Sequence, residues 1–199
     1  MNTKLIAGEE GARRKALDVA IGALNCDRRL PENVFAGAWR TFLFCESDRI
    51  FDLGFVSVVI RLLERENSHV ACLINLDETD VTRLEEGAAT IFVDSSVTGI
   101  RYMGALEDRG AAGGWLYTVN RYICSSDIGE WCIYCEKDND IAVVGLRDVG
   151  GVRGFEQPLK KLGAKPIEEL IDGGASPLFP FDHLIPSWRE GLLKNYGDR

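Results

Sequence analysis

Short apolar runs separated by turn-forming residues fill the middle of the chain, and this pattern constrains the fold more than any other feature. Runs of this kind, rich in β-branched and aromatic residues, are typical of β-strands. Six candidate strands follow from the pattern: 70–76, 89–93, 99–106, 115–124, 131–136 and 141–146. The polar tetrapeptide Lys-Asp-Asn-Asp at 137–140 separates the last two and predicts a hairpin turn. The sequence therefore predicts a mainly antiparallel sheet.

Helical patterns precede these runs. Apolar residues recur at steps of three and four within 9–25, which predicts a first helix. Pro31 suits the first position of a second helix, whose apolar face would reach residue 43, although 41–45 is also consistent with a strand. Asp48 is a candidate N-cap for a third helix that would end near Glu66.

Shorter helices follow the predicted sheet. Five prolines divide the segment after residue 157 into short pieces. Single helices are predicted at 159–162 and 167–171, and a final helix begins at Pro186. The order of elements predicts an α+β fold with N-terminal helices, a mainly antiparallel central sheet and short C-terminal helices. A chain of 199 residues fits one domain, so we expect a single α+β domain over 1–199.

The chain carries no pattern that indicates a membrane segment or a secretory signal. Its longest uncharged apolar run, 53–60, is far shorter than the roughly 20 residues that cross a bilayer. The first ten residues contain two adjacent acids instead of a secretory apolar region. We therefore expect a cytoplasmic protein that does not bind a membrane. In a reducing compartment its six cysteines are expected to be thiols.

The formal net charge is −8, from 23 basic and 31 acidic residues. This balance disfavours binding of nucleic acid through a basic face, because phosphate affinity depends on clustered Lys and Arg. Acidic residues instead concentrate in two stretches, 75–86 and 127–140, which favours a basic partner. The predicted partner-binding residues are Asp77, Glu78, Asp80, Glu85, Glu86, Asp127, Glu130, Glu136, Asp138 and Asp140.

A Trp-Cys-x-x-Cys string at 131–135 resembles the redox motif of the thioredoxin family. The resemblance implies that Cys132 would attack, that Cys135 would resolve the mixed disulfide, and that Pro177 would be the accompanying proline. That chemistry requires a helix N-terminus that lowers a thiol pKa and places both sulfurs on one helical turn. The residues between and after the cysteines favour a strand, in which Cys132 and Cys135 would point to opposite faces.

Other catalytic or metal-binding patterns are weak. A zinc site needs four ligands, and no second pair with recognisable spacing accompanies Cys132 and Cys135. The two histidines, His69 and His183, are not accompanied by a nucleophile motif. We therefore expect no cofactor, no metal and no enzymatic activity.

The whole chain, as a small acidic α+β protein without a catalytic constellation, resembles the bacterial immunity proteins of contact-dependent inhibition systems. The resemblance implies a stoichiometric mechanism, in which an acidic face binds a basic toxin domain, often a nuclease, and blocks it. Two alternatives remain open at this point. One is a thiol-redox enzyme that uses Cys132 and Cys135, and the other is a non-catalytic scaffold or ligand-binding module.

Overall fold

An antiparallel sheet forms the centre of the protein, and helices cover both of its faces. The computed structural model describes residues 7–77, 89–107, 114–147, 152–171 and 180–197. Within these residues the strands are β1 (Thr41–Glu46), β2 (Ala71–Asn75), β3 (Thr90–Val93), β4 (Arg121–Ser126), β5 (Trp131–Glu136) and β6 (Ile141–Leu146). They lie in the order β1-β6-β5-β4-β2-β3, and each neighbouring pair is antiparallel. The predicted α+β class is confirmed.

The helices precede, interrupt and follow the strands. They are α1 (Ala7–Gly22), α2 (Phe55–Glu66), α3 (Gly99–Glu107), α4 (Trp115–Thr118), α5 (Val152–Lys161), α6 (Ile167–Ile171) and α7 (Pro186–Tyr196). Short 3₁₀ turns lie at Ser47–Phe51, Lys137–Asn139 and Phe181–His183, and we name the first of these η1. Among the described helices, none has the length and apolar character needed to cross a membrane.

Both faces of the sheet are buried, by different helices. Side chains of α2, α3 and α5 pack on one face, where they meet Trp131, Ile133 and Cys135 of β5. Side chains of α1, α6 and α7 pack on the other face, where they meet Cys132 and Tyr134 of the same strand. Two covered faces explain why β5 and β6 are apolar at nearly every position instead of alternating with polar residues.

Close packing on the second face depends on one glycine. Gly145 of β6 pairs with Cys132 of β5 on one side and with Phe42 of β1 on the other. A Cβ atom at Gly145 would lie 2.9 Å from Phe35 Cε1 and 2.9 Å from Trp39 Cε3. Because Gly145 has no side chain, the Phe35 and Trp39 rings can pack directly against the sheet.

Most predicted elements are confirmed. The strands predicted at 70–76, 89–93, 131–136 and 141–146 are β2, β3, β5 and β6, and the tetrapeptide 137–140 forms the turn between the last two. The first helix, the helix at 167–171 and the helix from Pro186 are present. The helix predicted at 159–162 is the end of α5, which begins earlier at Val152.

Four predicted elements are corrected. The second helix from Pro31 is absent, because Phe35 forms a β-bridge with Leu24 and the chain then enters β1. Segment 99–106 is helix α3 and not a strand, with Tyr102 and Leu106 buried one helical turn apart.

The other two corrections concern broken elements. The third helix is divided, because η1 and a short loop occupy residues before Phe55, so Asp48 does not cap α2. The strand predicted at 115–124 is also divided, into the single turn α4 and strand β4.

Candidate functional site

Described acids from both acidic stretches lie at one end of the sheet. Asp77 follows β2, Asn120 immediately precedes β4, and Asp138 lies in the turn after β5. The Asp77 carboxylate accepts hydrogen bonds from the backbone N–H groups of Asn120 at 2.6 Å and Arg121 at 3.0 Å. The Asn120 side chain donates to the Asp138 carboxylate at 2.5 Å and accepts from the Asp138 N–H at 2.8 Å. Asn120 thus holds one acid from each stretch.

Two further acids extend this surface. The Asp140 carbonyl accepts a hydrogen bond from the Ser47 N–H at 2.9 Å, which fixes η1 and its exposed Asp48 beside the turn. Partial burial, followed by the nearby Asp48 charge, raises the pKa of Asp140. We name Asp48, Asp77, Asp138 and Asp140 the acidic edge.

Cations offset only part of this charge. Arg121 Nε lies 3.2 Å from Asp77 Oδ1 in a partly exposed ion pair. The Lys137 ammonium lies 5.5 Å from the centre of the Phe51 ring, a cation–π distance. Lys137 and His183 also act on the acidic edge, since the charge of each lowers the pKa of Asp140 and opposes the larger effect of burial.

Asp127 and Glu136 are predicted as partner-binding residues, and the structure corrects both because they are buried. Asp127 is only 5% exposed, and its carboxylate accepts hydrogen bonds from the N–H groups of His69 at 3.0 Å and Val70 at 3.4 Å. It anchors the chain that enters β2. A carboxylate enclosed in this way is not accessible to a partner.

Glu136 is the last residue of β5, at the opposite end of the strand from Asp127. It is 3% exposed, and its Oε1 accepts from the Leu30 N–H at 2.9 Å and the Tyr134 hydroxyl at 2.7 Å. Its Oε2 accepts from the Asn139 side chain at 2.9 Å. Three donors from separate segments meet this carboxylate, so its role is to join them.

The remaining predicted acids divide into two groups. Glu130 is exposed but lies in the turn before β5, at the opposite end of that strand from Asp138, and its N–H donates to Glu66 at 2.6 Å. The stretch 127–140 therefore does not form one surface. The other four predicted acids, Glu78, Asp80, Glu85 and Glu86, lie outside the described residues.

The cysteine motif is a strand, as the sequence predicts. Cys132 and Cys135 lie on opposite faces of β5 and belong to different apolar cores. Burial raises the pKa of both thiols. Pro177 lies outside the described residues. The strand provides neither the helix N-terminus nor the shared helical turn that a dithiol redox site requires.

Other site chemistry is limited in the described part of the chain. No group of three or more His, Cys, Asp or Glu side chains there could hold a metal ion. An open cleft of about 320 Å³ lies along β1, lined by Arg49 and Lys165, by Glu46, and by apolar side chains that include Phe181. This mixed lining does not indicate one class of ligand.

Sequence reasoning missed Asp48, which belongs to the acidic edge, and Asn120, which bridges two of its acids. Asn120 stands between a single helical turn and a strand, and no local pattern marks it as the bridge between distant acids. The sequence marks Asp48 only as a possible helix cap, although its position at a predicted helix start was a signal of exposure.

Comparisons of the chain with protein-family models, with curated proteins and with solved structures give no match.

Proposed function

We propose that the protein is a non-enzymatic binding protein whose acidic edge docks onto a basic surface of a partner protein. The observation that carries this proposal is the hydrogen-bonded bridge Asp77–Asn120–Asp138. It holds carboxylates from two separate stretches of the chain at one place on the surface. Groups that are fixed before binding lose little conformational entropy when a partner arrives.

Charge supports the same proposal. Exposed carboxylates on a protein of net charge −8 attract cationic surfaces over about one Debye length, roughly 8 Å at physiological ionic strength. Complementary charge mainly accelerates association and selects among partners. Binding through the acidic edge should therefore be fast and sensitive to salt.

The partner class that we propose is a toxin domain, and the protein would be its immunity protein, of the kind found in contact-dependent inhibition systems. A domain that cleaves nucleic acid needs a basic groove for phosphates. An acidic edge that occupies this groove would exclude the substrate without any catalysis. The stoichiometry would then be one inhibitor for each toxin domain.

A pull-down from lysate of the source cell at low salt, followed by a wash at high salt, tests the proposal. The double variant Asp48→Lys/Asp138→Lys reverses two exposed charges of the acidic edge. Glu130→Lys is the matched control, because Glu130 is exposed at the opposite end of β5. We expect the wild-type chain and the control to retain one basic protein that the double variant loses.

Kinetics with the captured protein then decide the assignment. We expect the double variant to associate about tenfold more slowly than the wild type, with a smaller salt dependence. The captured protein should lose its toxic activity at a one-to-one ratio. Equal association rates for the double variant and Glu130→Lys would contradict the assignment of the acidic edge.

A further inference from the structure

We propose that the connector between α5 and α6 is a strap that closes the outer edge of β1 and prevents this strand from pairing with β1 of a second copy. Residues 162–166 form the strap. They lie outside the acidic edge, so the inference is independent of the proposed function. It assigns to the strap the role of keeping the chain monomeric.

β1 is the kind of strand that pairs with other chains when its edge is accessible. Of the described strands it lies at one end of the sheet, with β6 as its neighbour. Its segment 41–45, Thr-Phe-Leu-Phe-Cys, contains no charged residue and no proline. Segments of about five to seven residues with this composition and a high β-propensity favour ordered aggregation. An uncovered edge would offer their N–H and C=O groups to a second chain.

The register shows which backbone groups of β1 face outward. The Ser47 N–H, directly after β1, donates to the Asp140 carbonyl at 2.9 Å, on the side of β6. Alternate residues of a strand direct these groups to opposite edges. The N–H and C=O groups of Phe42, Phe44 and Glu46 therefore point away from β6, with Phe44 at the centre of the outer edge.

The strap occupies this edge at its centre. The Phe44 N–H donates to the Lys165 carbonyl at 2.6 Å, and the Lys165 N–H donates to the Phe44 carbonyl at 3.0 Å. Phe44 is fully buried as a result of its position under the strap and in the core. Pro166 follows directly and has no N–H with which to continue the pairing. The strap thus satisfies the central groups of the edge without creating another strand.

Both ends of the strap are anchored, on opposite faces of the sheet. Leu162 is buried in the core beneath α5, and Ile167 is buried in the core beneath α6, so the chain between them crosses the sheet edge. Gly163 turns the chain out of α5 with a φ of 71°. The Ala164 N–H donates to the Leu159 carbonyl at 3.2 Å, as in a Schellman helix end. Packing on both faces therefore fixes the crossing beside β1.

Charged residues border the apolar segment of β1 at both ends. Arg40 precedes it and Glu46 follows it. Charges that flank an apolar strand limit its pairing between chains. The centre of the segment carries no charge, and this is where the strap forms its two hydrogen bonds with β1. The two features together protect the whole segment.

Two variants open the strap. Ala164→Gly/Pro166→Gly increases its flexibility, and Lys165→Pro removes the donor of one of its two hydrogen bonds with β1. The matched control is Ala36→Gly/Ala38→Gly, which increases the flexibility of the loop before β1 and leaves the strap unchanged. Sedimentation equilibrium in the presence of a reductant measures self-association. Hydrogen exchange at low protein concentration measures the opening of the edge.

We expect the Phe44 amide to exchange about tenfold faster in both strap variants than in the wild type. We expect both strap variants to self-associate at least about tenfold more tightly than the wild type, while the control sediments like the wild type. Adding Thr41→Lys to either strap variant should restore the monomer, because a charge within the segment opposes pairing between copies.

Three results would overturn the inference. The first is monomeric sedimentation of the folded strap variants, and Lys165→Pro provides this test if the double glycine variant does not fold. The second is self-association that persists after Thr41→Lys is added. The third is rapid exchange of the Phe44 amide in the wild type, because the edge would then be open in the native protein.

Discussion

Replacing Glu136 by alanine distinguishes a structural carboxylate from a binding one. The substitution leaves the buried Leu30 N–H and the buried Tyr134 hydroxyl without their acceptor. Each unsatisfied buried group costs about 1–3 kcal/mol. Asn139 is only partly buried, so water can replace its lost partner. Release of a buried charge offsets part of the cost. We expect the free energy of unfolding to fall by about 3 kcal/mol.

Urea unfolding followed by tryptophan fluorescence measures this change. With an m-value of about 2–3 kcal/mol/M, the midpoint should move down by about 1–1.5 M. Glu136→Gln is the matched control, since its carbonyl oxygen can still accept from Leu30 and Tyr134, and it should stay within about 1 kcal/mol of the wild type. If Glu136→Ala kept wild-type stability but weakened binding of the proposed partner, the structural role argued for Glu136 would be refuted.

Three further predictions concern packing, thiols and pH. Gly145→Ala should lower the free energy of unfolding by about 1–3 kcal/mol, because its Cβ would collide with two aromatic rings. Gly104→Ala, on the open face of α3, should raise the free energy of unfolding by about 0.5–1 kcal/mol, and thermal unfolding of both variants checks this contrast. At pH 8 a disulfide reagent should label the exposed Cys26 first, and the five buried thiols only on unfolding, since burial raises the pKa of those five thiols. Rapid labelling of Cys132 in the folded protein would contradict the fold. Burial also raises the pKa of Glu66 above its ordinary 4.5, so the folded state favours the protonated acid, and this contribution to stability is lost as the pH rises through the folded pKa. Between pH 4 and 7 the urea midpoint of the wild type should therefore fall relative to that of Glu66→Gln. Parallel profiles for the two proteins would contradict this reasoning.

The strands could be predicted where local and tertiary preferences agree. Segments 131–136 and 141–146 are apolar, β-branched and separated by a polar turn, and both form strands. Segment 99–106 was predicted wrongly as a strand because it is short and apolar. Tyr102 and Leu106 are four residues apart, and this spacing favours a helix that buries both side chains on one face. The segment after Pro31 does not form the predicted helix, because it pairs with the end of the first helical region instead. The Asn25 N–H donates to the Val34 carbonyl at 2.8 Å and the Ala36 N–H donates to the Ala23 carbonyl at 2.8 Å, which makes the β-bridge between Leu24 and Phe35.

The candidate site could be predicted only in part. Acidic stretches are visible in a sequence, but whether a carboxylate is exposed depends on what covers it. Glu136 ends a strand whose two faces are both covered, so it is buried with that strand. Asp138, two residues later in the turn, is exposed. The bridge through Asn120 depends on the pairing of β2 with β4, which no local pattern specifies.

The double covering of the sheet has an evolutionary consequence. Almost every side chain of β5 and β6 is enclosed by helices, so substitutions there are constrained by the volume of the core. Exposed positions such as Asp48 and Asp138 are free of this constraint. Under the proposed function, a lineage that meets a changing set of basic partners could therefore alter its specificity at the acidic edge while the scaffold stays the same. Sequence divergence among descendants of this chain should concentrate at those positions.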